Sequence, residues 1–418
     1  MSEVRDDDQV ISGRTATLRV VAALVLGAPA VTLRIAGVEL SPVIAVLVFG
    51  VGVLASVALL MWAAEAVRAD ISGSLALALL SLVAILPEYA VDIFFAFRAG
   101  SDPSYAAYAT ANMTGANRLL IGVAWPVLVF VAIWALRRSR RAGGEAAISW
   151  PKDGVLLAGH RRIELLFLGA ATLYALVIPL TRRLAWYDAV ILGGLFIAYL
   201  WRIRGSEESE EELVGVAATV AAQPRTRRRI LVGLLFLAAA VVILSAAEPF
   251  GQALVQAGGQ LGVDRFLLVQ WLAPLASESP EVLVAITFAL RSRADDGMGA
   301  LLAAKLNQWT LLIATLPIAY ALGGGQAAGL PLDSRQVEEF VLTTAQTVLG
   351  IAVLLNLRLS GAKALLLLVL FAAQFVLPDQ QARYIISVVY VLTAIGFVIA
   401  HRRDLRPLAV AALPGRRD

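Results

Sequence analysis

Long apolar runs alternate with short polar connections rich in arginine along the whole chain. Runs of about 20 residues match the length a helix needs to cross a bilayer. On that pattern we place spans at 17–37, 43–68, 74–98, 104–138, 162–180 and 186–204 in a first half. A second half holds spans at 229–258, 263–291, 298–322, 336–357, 361–377 and 382–401. The expected fold class is an all-α polytopic membrane protein with about 12 transmembrane helices, or about 11 to 13. The 104–138 run is long enough for a kinked helix, and Pro126 is the expected break.

Composition agrees with this pattern. The 418 residues are 59% hydrophobic and 16% charged, with a mean hydropathy of +0.79. Those values exclude an ordinary soluble domain. The absence of cysteine excludes disulfides, thiolate metal sites and cysteine catalysis. His160 and His401 sit beside arginines at segment ends and form no cluster. The net charge of +4 comes from arginines flanking the spans, not from a nucleic-acid surface. No nucleotide partner is expected either, since "GANRLL" (115–120) has no strand and no Gly-rich phosphate cradle beside it.

Charge also orients the chain. With both termini in the cytoplasm, most of the 35 basic residues fall on the cytoplasmic side, including "RRSRR" (137–141), "HRR" (160–162) and "RTRRR" (225–229). The acidic start "MSEVRDDDQV" lacks a signal peptide's basic region and cleavage site. The expectation is a multi-pass protein of the cell membrane, with the lipid bilayer and inorganic cations as its partners and its oligomeric state open. Its parts are a cytoplasmic tail (1–16), a first transmembrane half (17–204, repeat core 43–138) and a charged cytoplasmic linker (205–228). A second transmembrane half (229–401, repeat core 229–322) and a cytoplasmic tail (402–418) follow.

Polar residues inside the spans recur in order. The first half has "WAAEAV" (62–67), "ILPEYAVD" (85–92) and "TANMTGANRLL" (110–120). The second has "SAAEPF" (245–250), "SESPEVLV" (277–284) and "AAKLNQWTLL" (303–312). Each set is Ala-Ala-Glu, then Pro-Glu, then an amide-bearing segment, with Pro126 or Pro317 after it. The topology above runs one Pro-Glu helix outward and the other inward. That is an inverted-topology repeat, an arrangement typical of secondary transporters with a site near the midplane.

Charged groups at that depth are costly and mark function. Glu88 and Asp92 are four residues apart on one helical face, Glu278 and Glu281 three apart, and Ser277 lies one turn from Glu281. Carboxylate, hydroxyl and amide oxygens suit hard cations such as calcium and sodium. Close carboxylates do not all ionise, which opens a route to proton coupling. Lys305 and Arg118 are expected to compensate charge, with Lys305 pairing to Asp92 or Glu278. Glu65 and Glu248, nearer the span ends, are read as proton-relay residues or interfacial anchors. Asn112, Asn117 and Asn307 are read as ligands or as interhelical hydrogen-bond glue.

These motifs resemble the calcium/cation antiporter superfamily, the sodium/calcium and cation/proton exchangers. "LPEYAVD" is similar to that family's first Pro-Glu helix, "ANMTGAN" (111–117) to its Gly-Asn…Gly-Ser-Asn segment and "SESPEVL" to its second Pro-Glu helix. The chain departs from the family at Asp92, where serine is usual, at Ala111 and Ala116, and at Lys305, near a family glycine. The resemblance implies an exchanger-like fold and a secondary antiporter exchanging Ca2+ for Na+ or H+. It carries a metal-ligand role to Glu88, Glu281, Asn112 and Asn117, and more weakly to Ser277 and Asn307. No resident cofactor is implied; the cations are cargo. Two alternatives stand beside it, a degenerate relative moving another cation or solute and, remotely, an intramembrane carboxylate enzyme. The latter lacks a Ser-His pair or a metal-binding His-Glu motif.

Overall fold

The computed structural model describes residues 11–67, 69–70, 86–141, 153–203, 213, 215–262, 265–290, 292–376 and 379–411. The first half of the chain forms α1 (Gly13–Ala36), α2 (Pro42–Val67), α3 (Leu86–Ser101), α4 (Ala106–Leu119), α5 (Trp125–Arg141), α6 (Arg162–Ala175), α7 (Val177–Thr181) and α8 (Trp186–Ile203). Then come α9 (Gly215–Ala221), α10 (Arg225–Leu261), α11 (Arg265–Ser277), α12 (Ser279–Leu290), α13 (Ala294–Asn307) and α14 (Ile313–Leu322). The chain closes with α15 (Ser334–Leu354), α16 (Gly361–Val376), α17 (Gln380–Ala400) and α18 (Leu405–Ala411). Among the described residues, nine helical stretches are long and apolar enough to cross a membrane. The first part of the span expected at 74–98 lies outside the described residues.

Two short antiparallel strand pairs add to the expected all-helical fold. Gly154–Leu156 pairs with Arg358–Ser360, and Arg183–Leu184 pairs with Leu330–Pro331. Both join connections between helices, where backbone donors and acceptors left over by the helices satisfy one another.

The helices group into two compact units, each drawing on both halves of the sequence. One comprises Met1–Phe94 and Ile203–Ser277, the other Phe95–Arg202 and Glu278–Asp418.

In the first unit α1 wears its composition inside out. Ala16, Ala23, Gly27 and Ala30 are buried, while Leu18, Val25 and Ile35 are 61%, 63% and 81% exposed. Lipid is as apolar as leucine, so the small residues face neighbouring helices and the large ones face outward. Gly52 of α2 sits at the tightest point of this packing. A Cβ there would lie 2.8 Å from the Ala30 Cβ and 3.3 Å from the Ala246 Cβ. The stretch read as a charged cytoplasmic linker contains α9, whose Val216, Ala217 and Val220 join Leu59, Ala63 and Ala239 in one core.

α10 runs for 37 residues, about 55 Å at 1.5 Å per residue, well beyond a hydrocarbon core of about 30 Å. The excess carries a basic first turn. Arg228 donates to both carboxylate oxygens of Asp70 at 2.8 Å, with Arg229 at 3.4 Å and Arg225 at 3.8 Å. The Arg228 hydrogen bonds hold the Asp70 carboxyl down to about 2.

The second unit is built around α15. Its apolar window is 83% buried, the highest of any spanning helix described. Asp333 and Gln336 form a reciprocal capping box at its start. Thr343, Thr344 and Thr347 return their hydroxyls to carbonyls one turn back, which hides polar groups inside the helix's own backbone. Trp125, Leu128, Met298, Leu302, Leu349 and Tyr390 pack into the core of this unit.

Two π-helical turns mark this unit. α4 passes into α5 through a π-helical turn at Leu120–Ala124, and α13 passes into α14 through one at Gln308–Leu312. The break expected at Pro126 is therefore this upstream turn, and the chain stays helical through it. Widening the turn before Pro126 spares the α-type hydrogen bond that proline cannot donate.

Two predictions follow from the first unit. Gly52→Val should overpack the α1–α2–α10 contact and lower stability by about 1–3 kcal/mol, read as a lower melting temperature in detergent. Asp70→Asn should also lower the melting temperature at neutral pH. Because Asp70 is held below its unfolded value of 3.8, its contribution is present above that pH and is lost as pH falls toward 2. The difference between wild type and variant should therefore vanish over that window.

Candidate cation site

Both Pro-Glu motifs open a helix in the same way. α3 begins Leu86-Pro87-Glu88 and α12 begins Ser279-Pro280-Glu281. Proline second in a helix forfeits no intrahelical hydrogen bond, and its fixed φ favours the first turn. The glutamate that follows sits at the positive end of the helix dipole, where an anion is stabilised.

In the first unit, Glu88 is 5% exposed and Asp92, one turn on, is fully buried. In the second, helix is interrupted at Glu278, whose carbonyl accepts the Val282 N–H at 3.2 Å. The Glu278 Oε1 accepts a hydrogen bond from Gln308 Nε2 at 2.5 Å. Glu281 buries its Oε2 with no hydrogen-bond partner among the described residues. The side chain of Ser277 lies outside the described residues.

Asn112 and Asn117 are buried on α4, and Asn307 ends α13, also buried. Asn117 donates Nδ2 to the Met113 carbonyl at 2.9 Å, which turns its oxygen outward. That Oδ1 accepts Lys305 Nζ at 2.6 Å, and the same ammonium reaches the Asn117 carbonyl at 3.4 Å. It also lies 4.4 Å from the centre of the Trp309 ring. Lys305 thus hydrogen-bonds an amide, while Glu278, one of the two acids the sequence suggests for it, acts on it through space.

Arg118 finds its counter-charge outside the motifs. It is fully buried, pairs with Glu339 at 2.5 Å and donates to Gln374 Oε1 at 2.9 Å. Arg383 closes the group by pairing with Glu339 and, at 3.4 Å, with Glu338. Gln374 passes a further bond to the Tyr390 hydroxyl at 2.9 Å. Sequence reasoning passed over Glu338, Glu339 and Arg383. The signal was present in "VEEFVLTTAQTV" (337–348), two adjacent acids in a run too apolar to leave them unpaired.

The span-end acids divide. Glu248 is ion-paired with Arg34 and accepts from Gln252 at 3.2 Å, the setting of an anchor. Glu65 is half-buried on α2.

Chemically, these motifs offer carboxylate and amide oxygens. Among the described residues no three His, Cys, Asp or Glu side chains gather as a metal cluster. A cation held by these acids would complete its shell with carbonyl and amide oxygens, as hard cations do.

A family model described as "Sodium/calcium exchanger protein" matches residues 41–204 and 231–380. Among solved structures, the H+/Ca2+ exchanger CAX is 38% identical to this chain, covering 95% of it and 97% of its own length with a TM-score of 0.88. The Ca2+/H+ antiporter protein YfkE is 17% identical over 93% of this chain and all of its own, with a TM-score of 0.59. The sodium-calcium exchanger NCX_Mj is 14% identical over 81% of this chain and 99% of its own, with a TM-score of 0.51. These last two share the fold. No match was found among curated protein sequences.

Glu339→Gln should leave Arg118 and Arg383 with too little counter-charge. Breaking a buried pair from one side costs about 3–5 kcal/mol, so the variant should show a clearly lower melting temperature than wild type in the same detergent.

Proposed function

The chain belongs to the sodium/calcium exchanger protein family, and on that premise we propose that it is a secondary antiporter exchanging calcium for protons. The carrying observation is its 38% identity, over nearly its whole length, to an H+/Ca2+ exchanger. The Pro-Glu helix starts of both repeats support it.

Glu88 and Glu281 are the acidic ligands of the transported ion. Asp92 and Glu278 add charge, while Asn112, Asn307 and Ser277 supply neutral oxygens. Calcium and protons compete for the same carboxylates, because protonation removes the charge that binds the metal. A proton gradient can then drive calcium uphill, each face loading whichever ion prevails there. The carrier is a multi-pass integral membrane protein. We place it in the cell membrane with both termini in the cytoplasm, as the basic residues beside the spans favour.

The test is calcium uptake into proteoliposomes under a proton gradient or a sodium gradient, imposed separately. Uptake should follow the proton gradient and fall at least about tenfold in both Glu88→Gln and Glu281→Gln, the scale of losing one partner of a buried charge. No uptake by correctly folded protein, or uptake undiminished in the variants, would overturn the assignment.

A further inference from the structure

Asn117 stands three residues before the π turn at Leu120–Ala124, and Lys305 three before the π turn at Gln308–Leu312. The two are structural counterparts on the amide-bearing helices of the two repeats, and they bond to each other. One repeat supplies an amide oxygen; the other supplies an ammonium.

We propose that the Lys305 ammonium is a cation built into the chain, occupying on Asn117 the place a transported sodium ion would take, and thereby restricting the counter-ion to protons. This deepens the antiporter reading above and rests on it.

The geometry supports the assignment on three counts. First, the amide is oriented. With Asn117 Nδ2 held by Met113, Oδ1 is presented as an acceptor, and a sodium ion would seek this kind of oxygen. The ammonium already holds it, together with the main-chain carbonyl.

Second, the lysine is enclosed with its hydrogen bonds on Asn117, while Glu278 acts on it through space without a hydrogen bond. It is fully buried, its remaining face lies against Trp309, and its hydrogen bonds among the described residues go to Asn117. An aromatic face stabilises a desolvated cation, which lets the ammonium stay where burial would otherwise be costly. Arg118, the next residue after Asn117, cannot take this role because it is committed to Glu339 and Gln374.

Third, a fixed positive charge discriminates between counter-ions. A sodium ion arriving beside it meets repulsion that falls off slowly in a low-dielectric interior. A proton that neutralises a carboxylate adds no new cation next to the lysine. Asn117, which the family resemblance makes a metal ligand, becomes on this view the lysine's anchor.

The experiment compares full-length wild type, Lys305→Asn and Lys305→Gln. In proteoliposomes, calcium uptake is driven by a sodium gradient at equal pH or by a pH gradient without sodium. In detergent, unfolding is followed while sodium is titrated against choline. Wild type should respond to the pH gradient alone, and its melting temperature should not move with sodium. Lys305→Asn should gain a sodium-driven flux at least about fivefold above wild type, the lower end of ordinary coupling between ligands. Its melting temperature should rise with sodium.

A lysine that merely ties helices together would lower stability in both variants without creating a sodium response. Folded variants indifferent to sodium would therefore overturn the proposal. So would sodium-driven calcium uptake, or a sodium-specific rise in melting temperature, in wild type. Should neither variant fold, the wild-type titration decides by itself. A wild type moving calcium under neither gradient would sink the antiporter reading, whereas one moving calcium under sodium would sink only the role of the lysine.

Discussion

A charge at membrane depth must be matched inside the protein, because hydrocarbon offers neither counter-ions nor water. In the second unit this requirement organises the packing. Arg118 on α4 meets Glu339 on α15, and Arg383 on α17 meets Glu338 and Glu339. Gln374 on α16 bonds both Arg118 and Tyr390. Four helices are thus fastened through one group of two cations and two anions. The position of α4 follows from it, and with α4 the positions of Asn112 and Asn117. Hydrophobic packing alone would not fix that register, since apolar side chains gain little from protein over lipid. The small residues of α1 and the glycine at position 52 solve the complementary problem in the first unit, by bringing backbones close enough for dispersion to hold them.

On this frame, local backbone irregularity is placed beside the acids. The Pro-Glu glutamates stand third in their helices, where unpaired N–H groups face outward from the helix end. The interruption at Glu278 gives α12 a start of its own in mid-span, so that Glu281 gains this setting. Two π turns follow the amide-bearing helices at matching positions. Each shifts the phase of the helix beyond it, so the residues on either side need not share a face.

Much of this was legible in the sequence. The spans, the Pro-Glu anchors and the order of the repeat can be read from apolar length and from the rarity of acids within it. The family model matches stretches that contain both sets of motifs. What could not be read depends on helix phase and on contacts distant in sequence. Pro126 announces a distortion, but the distortion sits upstream as a π turn that no composition rule places. Lys305 reads as the partner of a nearby acid, and Glu278 does act on it, but its hydrogen bond goes to Asn117, which α4 brings to it. The linker reads as polar, yet the seven residues of α9 within it are apolar enough to be drawn into the core. Glu338 and Glu339 stood in plain view, and only their partner Arg383 lay too far along the chain to be paired by spacing.

The distribution of the chain's own cations separates structural acids from ion-binding ones. Arg34 is paired with Glu248, Arg228 with Asp70, and Arg118 and Arg383 with the glutamates of α15. Each of those acids has an arginine partner, bidentate at Asp70, and a guanidinium is a permanently charged partner. Glu278 is met by a neutral amide, Gln308, and Glu281 keeps one buried oxygen without any hydrogen-bond partner among the described residues. An acid held by arginine gains nothing from calcium, because the metal would have to displace a cation already in place. An acid held by an amide keeps its charge for a mobile ion or a proton. The same logic applies in reverse to Lys305, a cation in hydrogen-bonding contact with an amide instead of an acid. Its charge acts on Glu278 through space without a hydrogen bond between them, and so leaves that carboxylate able to bind, release and exchange.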